Sequence, residues 1–189
     1  MATSPLPFVS FEEYLALEQK APYKSEYFHG EIVAMSGGTR GHSLIIVNIA
    51  RHLGNLLNGS DCELHSGDLL FRTTDSRVGA YPDIMVLCGQ PQFEGEKDLV
   101  ALNPKVLFEV LSPTTEAYDR GKKAQEYWRC PSVQQYFLIS QDQPLVEVQS
   151  RAPQGKVSVE WFSGLEAICS IESLGLQLPL ASIYERLTF

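Results

Sequence analysis

No apolar run in this chain approaches the ~20 residues of a membrane span, and no basic segment followed by an apolar one opens it. Neither a spanning anchor nor a secretory leader is expected, and the cytoplasm is the expected compartment. Cysteine is scarce: Cys62, Cys88, Cys130 and Cys169 form no CxxC pair, which argues against zinc chelation. A chain of 189 residues can bury a core without a disulfide framework, so all four are expected to be inert thiols, Cys88 and Cys169 as small core residues. Basic residues are in deficit, 15 against 23 acids for a net charge of -8. That balance disfavours a broad, sequence-independent grip on nucleic acid, where phosphate neutralisation dominates. A few lysines beside a bound cation can still make one cleft locally positive. No helix-turn-helix, zinc finger or aromatic-basic stacking platform stands out, nor any repeat, low-complexity tract or linker. One domain over residues 1–189 is expected.

What is present is an alternation of helical and strand patterns. Phe11, Tyr14 and Leu15 recur at helical spacing between Val9 and Lys20, with Ser10 as N-cap before Glu12 and Glu13. Residues 25–28 and 31–35 flank His29-Gly30 as a tight hairpin, and a glycine-rich loop follows over 36–41. A long helix with a broad apolar face is predicted over 42–58. Strands are predicted over 63–72, 81–87 and 106–111, with a polar turn over 73–79 and a loop over 88–103. A second helix is predicted over 119–129, stopped by Cys130-Pro131. Strands over 135–140, 145–151 and 157–162 form a meander, and a short helix over 180–187 closes the chain. The class is mixed α/β.

The chemistry concentrates in the middle. Asp83 follows Pro82 at the start of an apolar strand, where its carboxylate projects beyond the sheet or serves as a turn cap. Glu109 sits inside Val106-Leu107-Phe108-Glu109-Val110-Leu111, and a carboxylate in such a run needs a partner, either a salt bridge or a metal ion. Lysines follow at 122 and 123. Helical phase places Lys123 one turn before Tyr127 on the apolar face, whereas Lys122 pairs with Glu126 on the solvent face. Lys123 is therefore the candidate to reach a buried carboxylate, against the alternative of a snorkelling surface lysine. Two acids on consecutive strands with a lysine soon after point to a divalent cation beside a positive charge. Glu26, in the first strand of the hairpin, and His42, at the loop-to-helix junction, are weaker candidates singly.

Taken together, Tyr23-x-x-Glu26-x-x-x-Gly30-Glu31-Ile32-Val33, His42 before a helix, Tyr81-Pro82-Asp83, Phe108-Glu109-Val110-Leu111-Ser112-Pro113-Thr114, Asp119-Arg120-Gly121-Lys122-Lys123 and Gln135-Tyr136-Phe137-Leu138-Ile139 resemble the Uma2 family. This is a group of endonuclease-like proteins, formerly domain of unknown function 820, abundant in cyanobacteria and placed in the PD-(D/E)xK nuclease superfamily. The resemblance runs from about residue 8 to the segment 178–184. It implies a restriction endonuclease-like core, helix-strand-strand-strand-helix-strand, with a central mixed sheet flanked by helices, an N-terminal helix and hairpin, and a C-terminal strand meander. It further implies Mg²⁺ or Mn²⁺ held by Asp83, Glu109 and the Val110 carbonyl. One departure stands out: the superfamily motif has lysine two residues after the second acid, and Leu111 occupies that position. The family's answer is a lysine on the following helix, which Lys123 matches.

The implied activity is metal-dependent hydrolysis of phosphodiester bonds in nucleic acid, DNA before RNA. Lys123 is expected to orient the attacking water and stabilise developing charge. Glu26 is expected to position the cation's water shell or a second ion, and His42 to contact phosphate or assist proton transfer. The superfamily's habit makes a homodimer an open possibility. Two other readings stay open: a nuclease-fold protein that no longer cuts and serves binding or regulation, and a different metal hydrolase.

Overall fold

The computed structural model describes residues 8–189. Helix α1 (Phe11–Glu18) begins at a capping box in which the Ser10 hydroxyl accepts from Glu13 N–H and the Glu13 carboxylate accepts from Ser10 N–H. It buries Phe11 and Tyr14 against Tyr27 of the hairpin β1 (Ser25–Phe28) and β2 (Glu31–Ala34). Helix α2 (Arg40–Leu56) follows, capped by Thr39, with Ile45, Ile49 and Leu53 on its buried face. Its start lies two residues earlier than the apolar pattern alone predicts, because the Thr39 hydroxyl accepts from His42 N–H.

The segment expected as one strand over 63–72 is two. β3 (Cys62–Ser66) and β4 (Leu70–Arg72) belong to different sheets and are separated by a turn at Gly67-Asp68, where Gly67 N–H donates to the Asp83 carbonyl. The polar turn expected over 73–79 holds β5 (Val78–Ala80), which pairs with both β1 and β4. β6 (Ile84–Cys88) begins after Asp83. The expected loop over 88–103 contains β7 (Phe93–Glu94) and β8 (Val100–Ala101), two-residue strands too short to show a period. β9 (Val106–Leu111) is buried along its whole length.

After β9 the chain is helical from residue 116, not 119: α3 (Glu116–Tyr118), a π-turn (Asp119–Lys123) and α4 (Ala124–Tyr127). β10 (Gln135–Ser140), β11 (Leu145–Arg151) and β12 (Val157–Ser163) form the predicted meander. A hairpin of β13 (Ile168–Ile171) and β14 (Leu176–Pro179) and helix α5 (Leu180–Ile183) complete the fold.

The central sheet has the order β12-β11-β10-β9-β6-β3, with β9 and β10 parallel and every other pair antiparallel. A second six-stranded sheet, β2-β1-β5-β4-β8-β7, carries the N-terminal hairpin. Side chains alternate across a strand, so β9 feeds two cores. Val106, Phe108 and Val110 pack with α2 and the C-terminal elements, whereas Leu107 and Leu111 pack with Ala124, Tyr127 and Tyr136. Glu109 shares the second face. Cys62 and Cys88 are not free thiols: they are cross-strand partners in the β3–β6 register and form a disulfide, while Cys130 and Cys169 are free and buried. No helix among the described residues is long and apolar enough to cross a membrane.

Candidate active site

β6 and β9 run antiparallel with Ile84 opposite Phe108. Continuing that register by one residue brings Asp83 beside Glu109, at the open end of the strand pair. Asp83 Oδ2 accepts from Val110 N–H at 2.7 Å and lies 3.3 Å from His42 Nε2. Because a strand residue's N–H and C=O point to the same side, the Val110 carbonyl faces that edge too. His42 reaches it from the first turn of α2, and Gly38 makes room, since a Cβ there would stand 2.8 Å from His42 Nδ1.

Lys123 closes the site from the π-turn. Its ammonium lies 2.8 Å from Glu109 Oε1, 2.9 Å from Glu26 Oε1 and 3.6 Å from Asp119 Oδ1, with its side chain only 5% exposed. A π-turn inside a helix is itself a feature that recurs at functional sites. Glu109 Oε1 also accepts from the Tyr127 hydroxyl at 3.1 Å, and Glu26 Oε1 is 3.4 Å from Tyr81 N–H. Thus β1, β9 and the helix each supply a charge to one buried cluster.

Burial and charge act against each other here. Burial, opposed by Lys123 and reinforced by Asp83, Asp119 and Glu26, lifts the Glu109 carboxyl well above the usual carboxylate value. Burial also raises Asp119, again against Lys123. Burial disfavours the Lys123 ammonium, but Glu109, Glu26 and Asp119 outweigh it and push that pKa well above the usual lysine value. The hydrogen bond to Asp83 raises His42 despite its partial burial.

Glu26, His42, Asp83, Glu109 and Lys123 are therefore brought together, with Val110 supplying a backbone contact. Lys122 is not part of the cluster. The partner expected for it, Glu126, is buried and stands 3.1 Å from His29 Nε2 and 3.3 Å from Arg129 Nε instead. The π-turn adds a residue to the local repeat, so α-helical phase does not carry across it. Sequence reasoning missed Asp119 and Tyr127 as site residues. Both lie four residues from Lys123, and the signal for Asp119 was its place in Asp119-Arg120-Gly121-Lys122-Lys123.

The donors fit a hard divalent cation in kind. Protein hydrogen bonds fall on one oxygen each of Asp83, Glu109 and Glu26, and among the described residues the second oxygen of each has no donor. Three carboxylates, Glu26, Glu109 and Asp119, face the one ammonium, and Asp83 stands beside His42, an acid-rich set of hard oxygen donors. As the side chains stand, no three His, Cys, Asp or Glu groups among the described residues converge at metal-ligand spacing. The Lys123 ammonium lies among the carboxylates instead.

The family model for Uma2, described as "Putative restriction endonuclease", matches residues 11–181. A Synechocystis protein named "Uncharacterized protein slr1290" is 34% identical over 187 residues, covering 99% of this chain and 97% of that one. A second from the same organism, "Uncharacterized protein sll1609", is 30% identical over 141 residues, covering 75% and 80%. A crystal structure of a "putative nuclease belonging to DUF820" from Anabaena variabilis superposes with a TM-score of 0.73 at 20% identity, covering 93% of this chain and 97% of that one. The fold is restriction endonuclease-like, a mixed sheet flanked by helices.

Proposed function

The chain belongs to the Uma2 family, and on that premise we propose that it is a divalent-cation-dependent endonuclease hydrolysing phosphodiester bonds of nucleic acid, DNA before RNA. Asp83, Glu109 and the Val110 carbonyl would hold Mg²⁺ or Mn²⁺. When bound, that ion supplies polarisation of the phosphate and a lowered pKa for water. The observation that carries the reading is the Lys123 ammonium at 2.8 Å from Glu109, delivered from the following helix where Leu111 leaves the usual lysine position vacant. A lysine stem is long and flexible enough to bring its charge there from another backbone site.

In this reading Lys123 keeps its proton, orients the attacking water and stabilises charge developing on the phosphate oxygens. Glu26 accepts from the same ammonium at 2.9 Å and so helps to fix its position. Tyr127 donates to Glu109 Oε1 and leaves the other oxygen for the ion. His42, its pKa raised by Asp83, contacts phosphate as the cation or returns a proton to the leaving oxygen. The partners are nucleic acid and a second copy of the chain, with no membrane. In this reading the compartment is the cytoplasm.

Calorimetric titration with Mg²⁺ and Mn²⁺ tests the ion site independently of cleavage. Binding should release protons, since the ion competes with the proton favoured on Glu109, and should disappear in Asp83→Asn. Binding unchanged in Asp83→Asn would remove these carboxylates as the coordinating pair and favour a nuclease-fold binding module.

A further inference from the structure

Among the described residues, β12 is the outermost strand of the central sheet and pairs only with β11. Natural edge strands are commonly protected by charge, proline, a bulge or brevity. β12 is seven residues long, without proline, and its one charged residue is Glu160. Val157, Val159 and Trp161 line one face of it and are 38%, 39% and 63% exposed. The indole of Trp161 is tethered through Nε1 to Glu147 at 3.2 Å.

Among the described residues the backbone groups of the same three residues have no partner either. Ala152 N–H donates to the Lys156 carbonyl and Gly164 N–H to the Pro144 carbonyl. Both bonds continue the β11–β12 register, in which Ser150 faces Ser158. Bonding pairs in an antiparallel ladder alternate, so 158, 160 and 162 turn their backbone groups to β11. Val157, Val159 and Trp161 turn theirs outward.

We propose that β12 is the docking surface for a second copy of this chain, pairing antiparallel with the partner's β12 about a twofold axis at Val159. That register sets Val159 against the partner's Val159 and each Trp161 against a Val157, with about six new backbone hydrogen bonds from three bonding pairs. On the other face Glu160 meets the partner's Ser158, with the partner's Lys156 on the diagonal, within reach of a long side chain. Neither Lys156 nor Glu160 has an ion-pair partner within the chain among the described residues. A register shifted to centre on Glu160 would set two like charges face to face. The opposite edge, β3, carries Glu63, His65 and the Cys62 bridge, which suits it less to pairing. This surface is independent of the hydrolytic reading.

Sedimentation analysis of the full chain over a dilution series tests it. The wild type should be a dimer that dissociates on dilution. Val159→Lys should be monomeric at the same concentrations with an unchanged circular dichroism spectrum. Lys156→Glu should weaken the dimer roughly tenfold by turning two attractive diagonals into repulsive ones, and adding Glu160→Lys should restore it. A wild type that stays monomeric, a Val159→Lys dimer as tight as wild type, or a double exchange that fails to restore association would each overturn the proposal.

Discussion

Lys123→Met isolates the interaction on which the site is built. Methionine keeps much of the stem's volume but removes an ammonium that lies 2.8 Å from Glu109, 2.9 Å from Glu26 and 3.6 Å from Asp119. Removing one partner of a buried ion pair costs about 3–5 kcal/mol, and here three carboxylates lose the same partner. The upper part of that range is expected wherever the acids are ionised. The pH dependence follows from Glu109 and Asp119, whose folded pKa values are raised already and rise further once Lys123 no longer opposes burial. A carboxylate with a raised folded pKa contributes stability fully present below its unfolded value and lost as pH rises through the folded value. The penalty should therefore be smallest near pH ~4 and grow through neutrality. Urea unfolding of wild type, Lys123→Met and Lys122→Met over a pH series measures this. Lys122→Met should change stability by no more than about 0.5 kcal/mol. Equal losses in the two mutants at about pH 8, or a Lys123→Met penalty independent of pH, would refute the reasoning.

Three further outcomes are expected. Asp83→Asn should lower the His42 pKa, read from the imidazole shifts in an NMR titration, because the hydrogen bond to Asp83 is what raises it. In wild type that contact stabilises the fold below the unfolded histidine pKa and is lost as pH rises through the folded one. Gly79→Ala should destabilise by about 1–3 kcal/mol in urea unfolding, because its Cβ would meet Phe11 Cε2 at 2.7 Å and Tyr14 Cε1 at 3.2 Å in a packed aromatic cluster. Reducing the Cys62–Cys88 bond should cost roughly 3 kcal/mol for the loop it closes, measured as a shift in the urea midpoint on adding dithiothreitol.

Long periodic elements were legible in the sequence, and short or context-built ones were not. The apolar stripe of α2 and the run of β9 declare themselves, because burial of one helix face or of both strand faces leaves a period that composition cannot mimic. The split between β3 and β4 depends on Gly67 bonding to Asp83 across the sheet, which no local pattern encodes. β5 is three residues long and takes its strand character from its neighbours on either side. The Cys62–Cys88 pairing required the β3–β6 register, so a spacing that excluded zinc was silent about a cross-strand bond. Within the site, Glu109 was readable because an acid in an apolar run demands a partner. Lys123 was readable from its spacing to Tyr127. Asp119 stood at helical i,i+4 spacing from Lys123 but outside any apolar run that would mark it as buried, and the π-turn carried Glu126 from the expected surface into the interior.

The most direct test is an incubation of wild type, Asp83→Asn and Glu109→Gln with plasmid, single-stranded DNA and RNA in Mg²⁺, Mn²⁺ and Ca²⁺. Wild type should cut in Mg²⁺ or Mn²⁺, with DNA preferred, and both variants should lose cleavage by about 10²-fold or more while remaining folded by circular dichroism. Cleavage by Asp83→Asn at the wild-type rate, or folded wild type that leaves every substrate intact in every cation, would contradict the assignment of this cluster as a nuclease centre.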